Sequence, residues 1–338
     1  METLLSRPFP MRRAFLIGAL AAVAAAASAA LTPAHGQVEY PSRPVSFVIP
    51  YPPGGASDIV ARMIGAQIER TLGQPFVIQN RPGGNGIVAL THVANSPPDG
   101  YTILMSNVGP SAINPSVYGR LPYDSVKDFV PITLTNLVPL KLVVAAGSGI
   151  DSVSDLIARA KAVNGKMSYG TGGTGTAGHL AMELFMSKAG IRMESVNYKG
   201  DGLALQDIVS GQIDVMFTTV VSAAPHVGPG GRLKALAVTT RERLASDPDL
   251  PTVAELGMPG FEAVSWGGVM APAGTPRAIV DLLNVEINRA LARPDIKDKL
   301  AQGGTVTVGS TPEEFGSYLV DEIRKWGDVA KSARIRLE

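Results

Sequence analysis

Three stretches rich in glycine and hydroxyl side chains carry the residue types that bind anions. They are Tyr51-Pro-Pro-Gly-Gly-Ala-Ser-Asp58, Ser106-Asn-Val-Gly-Pro-Ser111 and Gly170-Thr-Gly-Gly-Thr-Gly-Thr-Ala-Gly178. Glycine bares backbone N–H groups, and a helix that follows adds the positive end of its dipole. In the first stretch Ser57 is placed to cap a helix, and Asp58 puts a carboxylate in its first turn. An ordinary strand-to-helix turn that needs glycine for its backbone is the competing reading. In the third, the Thr174 and Thr176 hydroxyls and the N–H groups of 173–178 form a cradle suited to a carboxylate. A hydrogen bond to a charged group contributes roughly 1.5–3 kcal/mol. Three or four of them, less the cost of association, reach micromolar binding.

Other chemistry is poorly served. Gly170-Thr-Gly-Gly-Thr-Gly175 matches the dinucleotide pattern G-x-G-x-x-G, with Glu194 near the ribose-binding distance, but glycine-rich loops match it by chance. Gly173 and Gly178 have phosphate-loop spacing, yet His179 stands where that motif needs lysine. No His-Glu-x-x-His, Gly-x-Ser-x-Gly or Ser-x-x-Lys occurs. His92, His179 and His226 are scattered singly, and the absence of cysteine removes thiol nucleophiles, disulfides and thiolate-ligated metal. No cofactor or metal is expected. Lys199 is either a ligand-facing cation or a solvated loop charge, and Trp266 lines either a cleft or the core.

The elements that must position these loops follow from the apolar pattern. Val45–Ile49 reads as a buried strand, and Ile59, Val60, Met63, Ile64, Ile68 and Leu72 recur at helical spacing up to Gly73 and Pro75. Strands at Phe76–Gln79 and Tyr101–Met105 bracket a short helix, giving β-α-β-α-β and a parallel sheet. Strand exits at 51–57, 80–86 and 106–111 then lie at one edge, and those at 51–57 and 106–111 share the edge where a ligand binds. A second such array runs from the apolar stretch 140–146 through strands at 167–169, 195–198 and 215–217, ending in Thr218-Thr219. Helices at 276–292 and 312–331 have no strand left to cover in the second array and are expected to return to the first.

At 338 residues, with 45% hydrophobic and 17% charged residues, the chain accommodates two globular domains. Arg12 and Arg13 precede an apolar run, Ala14 to Ala27, and small residues follow, the order of a secretory signal. Cleavage after Gly36 is favoured over Ala29; Arg12-Arg13-Ala14-Phe15-Leu16 also resembles a twin-arginine signal, but its flanking residues fit that pattern poorly. Three arginines and one glutamate leave with residues 1–36, taking the formal charge from +1 to −1. A near-neutral surface of scattered charge offers nothing to nucleic acid. The expectation is a soluble periplasmic protein.

An ordered series of short motifs resembles the Bug family, the periplasmic solute-binding components of tripartite tricarboxylate transporters. Its members in this sequence are Tyr51–Asp58, Leu72–Pro75, Asn80–Gly84, Pro98–Tyr101, Asn114–Tyr118, Leu121–Asp124, Asp128-Phe129, Gly175-Thr176, His179-Leu180, Tyr198–Gly200, Ala235–Val238, Pro251–Ala254, Ala271–Pro276 and Thr311–Phe315. The resemblance covers essentially all of 38–338. It implies an α/β two-lobed periplasmic-binding-protein fold of type II kind, each lobe a mainly parallel sheet flanked by helices. Lobe 1 would be 37–139 plus 268–338 and lobe 2 would be 140–267, with the ligand between them.

By the same resemblance the jaws are Tyr51–Asp58, with Gly54, Gly55, Ala56 and Ser57 among them, and 173–179. Asn107, Gly109 and Ser111, together with Gly173, Thr174, Gly175, Thr176, His179, Lys199, Thr218 and Thr219, complete the expected ligand contacts. The ligand would be a di- or tricarboxylate or an aromatic acid, and the partners a large and a small membrane subunit, with the chain itself monomeric. Thr218-Thr219 departs from an acidic residue followed by Asn or Ser in many relatives, which argues against an amino-acid ligand. Asp201-Gly202 departs from a small residue followed by proline and reshapes one side of the cleft. Two other classes compete with this reading: a sensor presenting its liganded form to a membrane kinase, and a hydrolase, which would need a nucleophile–base pair that the sequence does not offer.

Overall fold

The computed structural model describes residues 40–336; the expected signal segment 1–36 lies outside the described residues. The strand elements are β1 (Val45–Ile49), β2 (Phe76–Asn80), β3 (Thr102–Asn107), β4 (Phe129–Ala145), β5 (Ser168–Thr171), β6 (Glu194–Asn197), β7 (Val215–Thr219), β8 (Leu233–Val238), β9 (Val264–Pro272) and β10 (Val306–Thr307). The helices are α1 (Ala56–Leu72), α2 (Ile87–Ala94), α3 (Asn114–Val117), α4 (Val153–Ala162), α5 (Ala177–Ala189), α6 (Asp201–Ser210), α7 (Val220–Ala223), α8 (Arg277–Ala292), α9 (Pro294–Gln302) and α10 (Pro312–Ala333).

The sheet path is β2-β1-β3-β9-β4-β7-β5-β6, with β8 and β10 each paired to β4. At one end β1 runs parallel to β2 and β3; at the other, β5 runs parallel to β6 and β7. The two strands between them differ. β9 is antiparallel to both β3 and β4, and β4 is antiparallel to β7. β4 pairs with β9 from Phe129 to Pro139, then with β7 from Leu140 to Val144, so one strand crosses from the first array to the second.

The expected strand at 140–146 is therefore only the second half of β4. Its first half is hidden in the sequence because Pro131, Thr133, Thr135, Asn136 and Pro139 break the apolar run. Two register shifts absorb the irregularity. Thr133 and Thr135 are fully buried, and their hydroxyls reach the amide oxygens of Asn288 (2.8 Å) and Asn136 (2.8 Å). Buried polar groups are tolerated when they are bonded in this way.

α1 begins earlier than the sequence suggests. Gly55, in extended conformation, is its N-cap without a side-chain cap, so Ser57 lies inside the first turn rather than capping it. Asp58 does the capping work from the third helical position: its Oδ2 accepts the Gly54 N–H at 3.0 Å. Arg62 Nε donates to the same oxygen at 2.9 Å, and Asn80 Nδ2 to Oδ1 at 2.9 Å. Burial pushes the Asp58 carboxyl up, but these bonds together outweigh it and hold the group below the usual range. The 51–58 loop is thereby tied to α1 and to the end of β2.

The C-terminal helices close the structure. α8 packs on β4 and α1, and α10 packs on β4, α3, α5 and the turn at 109–113. Trp266 on β9 and Trp326 on α10 are fully buried, and both indole N–H groups donate to Glu322 Oε2 at 2.9 Å. Trp266 is thus a core residue. Among the described residues no helix is long and apolar enough to cross a membrane.

Candidate ligand-binding site

A cavity of ≈ 240 Å³ opens where the exits of β1 and β3 face the starts of α5 and α6. Tyr51, Asn85, Asn107, Val108 and Gly109 line it from the first side, and Gly175, Thr176, Ala177, Gly178, Asp201, Phe217 and Thr219 from the second. Leu140 and Ser265, on the crossing strands β4 and β9, form its floor between them.

On the first side, the Tyr51 hydroxyl donates to Asn107 Oδ1 at 3.4 Å, and Asn107 Nδ2 donates to Ser57 Oγ at 3.4 Å. Burial, with the Tyr123 phenol next in effect, pushes the Tyr51 phenol up, so it stays a donor. Asn85 sits in the left-handed region (φ 49°) and is pinned by exchanging bonds with Asn114: its Nδ2 donates to Asn114 Oδ1 at 2.8 Å, and Asn114 Nδ2 donates to its carbonyl at 3.1 Å. The wall is therefore a set of neutral donors held by a bonded scaffold.

On the second side, Thr176 caps α5: its Oγ1 accepts the His179 N–H at 3.4 Å and donates to Gly173 O at 2.8 Å. The first N–H groups of a helix have no intrahelical acceptor, and Ala177 and Gly178, in the first turn of α5, line the cavity. Gly178 also lets α5 approach β7, since a Cβ there would lie 2.5 Å from Phe217 O.

His179 holds this turn in shape. Its Nδ1 accepts the Gly175 N–H at 3.1 Å, and its ring stacks on Tyr169, whose hydroxyl donates to Glu183 Oε1 at 2.5 Å. Burial lowers the imidazole from its ordinary 6.5 to about 4, so it is neutral and free to accept. Between those values the unfolded chain binds a proton that the folded chain does not. The stability His179 contributes is present above the unfolded 6.5 and is lost as pH falls toward about 4. Urea midpoints at about pH 7.5 and about pH 4.5 are expected to fall further for the parent than for His179→Asn, whose amide oxygen still accepts. Equal falls would show that this imidazole does not titrate as its burial requires.

The remaining residues expected from the sequence lie elsewhere. Gly54, Gly55 and Ala56 face a second, larger cavity of ≈ 460 Å³ with Ile59, Val138, Val221 and Leu300 in its walls, and Thr219 borders both. Ser57 and Asp58 are buried beneath the loop, and Ser111 is buried against Ser106, 2.7 Å between hydroxyls. Gly173 and Thr174 stand behind the cavity wall, with Thr174 Oγ1 donating to Asn197 Oδ1 at 3.0 Å. Lys199 is exposed and lines neither cavity. Thr218 is buried and donates to Asp201 Oδ2 at 2.7 Å.

Asn85, Asp201 and Ser265 are the polar lining residues absent from the ligand contacts expected from the sequence. Asn85 belongs to the recognised exit at 80–86 but follows an outer strand, and only its left-handed turn brings it back to the edge. Asp201 opens α6 and takes bonds from Thr218, the Thr219 N–H and the Ser222 hydroxyl. Burial nevertheless outweighs these and raises its carboxyl above the usual range.

Residues 60–335 match the family described as Tripartite tricarboxylate transporter family receptor. The chain is 40% identical over 317 residues to the UPF0065 protein in the tcbD-tcbE intergenic region of Pseudomonas sp. (strain P51), covering 94% of each. Its structure is similar to that of R. palustris Rpa4515 with adipate, with TM-score 0.78 and 37% identity over 88% of this chain and 99% of that one. MatC (Rpa3494) from Rhodopseudomonas palustris with bound malate is similar at TM-score 0.74 and 32% identity, over 86% of this chain and 99% of that one.

Proposed function

The chain belongs to the tripartite tricarboxylate transporter receptor family, the Bug solute-binding proteins, and from that premise we propose that it captures a small organic carboxylate. Its two-lobed α/β fold is that of periplasmic solute-binding proteins. The site is the cavity between the exits of β1 and β3 and the start of α5, with the side-chain amides of Asn85 and Asn107 and the backbone N–H groups of Ala177 and Gly178 as its donors and Tyr51 and Thr176 in its walls. The observation that carries this reading is the turn at 175–178, which presents helix-terminal N–H groups to a cavity already walled by neutral donors. An anion held there needs no lysine or arginine.

The lobes, 37–139 with 268–338 and 140–267, meet where β4 changes partner between Pro139 and Leu140. Closure about that point brings the two walls onto the ligand. The liganded protein then delivers its cargo, from the periplasm and as a monomer, to the membrane subunits of a secondary transporter, without altering it chemically. Adipate and malate, bound by two similar proteins, head the list of probes.

Thermal shift with a panel of mono-, di- and tricarboxylates tests this. A ligand at 100 times its Kd stabilises the folded state by about 2.7 kcal/mol, enough for a clear shift. No shift with any carboxylate, alongside calorimetric binding of sugars or cations, would overturn the reading.

A further inference from the structure

One lining residue runs against the chemistry of an anion site. Asp201 is an acid in a cavity whose described lining contains no lysine, arginine or histidine. Its surroundings are built to keep it there. Thr218 on β7 donates to it at 2.7 Å, and Thr219 and Ser222 add an N–H and a hydroxyl. Behind it, Gly172 leaves the space that the carboxylate fills, for a Cβ at that position would lie 2.3 Å from Asp201 Oδ1.

Among the described residues no lysine, arginine or histidine is paired with it. α6 packs against β4, β5, β7 and α7, and the basic groups nearby are engaged or solvated. Lys141 stands opposite Thr218 across the β4–β7 pair, but its ammonium is held by Asp247 at 2.7 Å. Lys199 is exposed to solvent, and the buried His179 imidazole already accepts the Gly175 N–H. The acidic Glu183 and Asp207 are engaged by Tyr169 and Tyr198.

We propose that Asp201 sets the charge of the ligand: the cleft takes one carboxylate against the α5 turn and, at the Asp201 end, a hydrogen-bond donor in place of a second carboxylate. This rests on the carboxylate-binding reading above and narrows it. A hydroxyl or amide N–H donates to Asp201, whereas a second carboxylate meets like charge in a partly desolvated space. That repulsion lowers affinity by about tenfold or more.

Calorimetry at neutral pH with two matched pairs, succinate with its monoamide and adipate with its monoamide, tests the inference. The monoamide of at least one pair is expected to bind about tenfold more tightly than its diacid, and Asp201→Asn is expected to erase or reverse that ratio. Diacids that bind the parent as tightly as their monoamides in both pairs, or a ratio unchanged in Asp201→Asn, overturn the role of Asp201 and leave the carboxylate reading standing. Binding of neither member, nor of any other carboxylate, overturns both. The parent's ratio decides the matter if the variant does not fold.

Discussion

Valine at position 175 abolishes carboxylate binding while the protein remains folded. Gly175 has φ +79°, a conformation in which a β-branched residue is strained by about 1–3 kcal/mol. Its N–H makes the bond to His179 that shapes the turn, and the residue lines the cavity. Valine therefore adds a branched side chain at the wall of the proposed site and displaces the backbone of the next two residues. The expected result is no heat of binding in calorimetry, an unchanged far-ultraviolet spectrum and a melting point lowered by a few degrees, on the order of 2–4 °C per kcal/mol. Gly190→Ala is the matched control. That glycine is also left-handed (φ +62°), caps the far end of α5 and would meet nothing within 4 Å. It is expected to lose stability and keep affinity. Parental affinity in Gly175→Val would remove the turn from the site.

Alanine at position 322 produces the largest loss of stability. Glu322 is 5% exposed and accepts both indole N–H groups, with Lys325 paired to its other oxygen. Truncation leaves two buried donors unsatisfied, at about 1–3 kcal/mol each, and a cavity besides. A loss of about 3–6 kcal/mol is expected in urea unfolding, against much less for Glu322→Gln, whose amide oxygen still accepts. The two tryptophans are the only two in the chain, so their fluorescence reports directly from this junction of β9 with α10. Equal losses in the two variants would show that the indole bonds contribute little.

Much of the fold was legible because its signals are local. The largely apolar strand at 45–49, the glycine-ended helix up to Leu72 and the strand exits each declare themselves within a few residues. The Thr176 cap is local too, its hydroxyl oxygen accepting the N–H three residues on, but in the sequence that hydroxyl reads as a ligand contact instead. What was hidden depends on partners distant in sequence. The first half of β4 reads as a polar, proline-broken loop, and its Thr133 hydroxyl and backbone groups find partners in Asn284, Asn288 and Ser310 of the C-terminal region. Ser57 looked like a cap because serine caps are common; that Asp58 reaches back to Gly54 instead depends on Arg62 and Asn80 steadying it. Asp201 read as a departure from a family pattern, and its place on the cavity wall emerges only once α6 is docked against β7.

The position of β9 constrains the order in which the molecule can assemble. β3 and β4 follow one another along the chain, yet they share no edge of the sheet: β9 lies between them, and residues 146–263 are made before it. A nascent chain that ends short of Val264 therefore carries two open strand edges where the finished protein has none. Closing so long a loop is an entropic cost that only the late strand and its helices repay. The junction of β3 with β4 thus cannot form until the last quarter of the chain has been made.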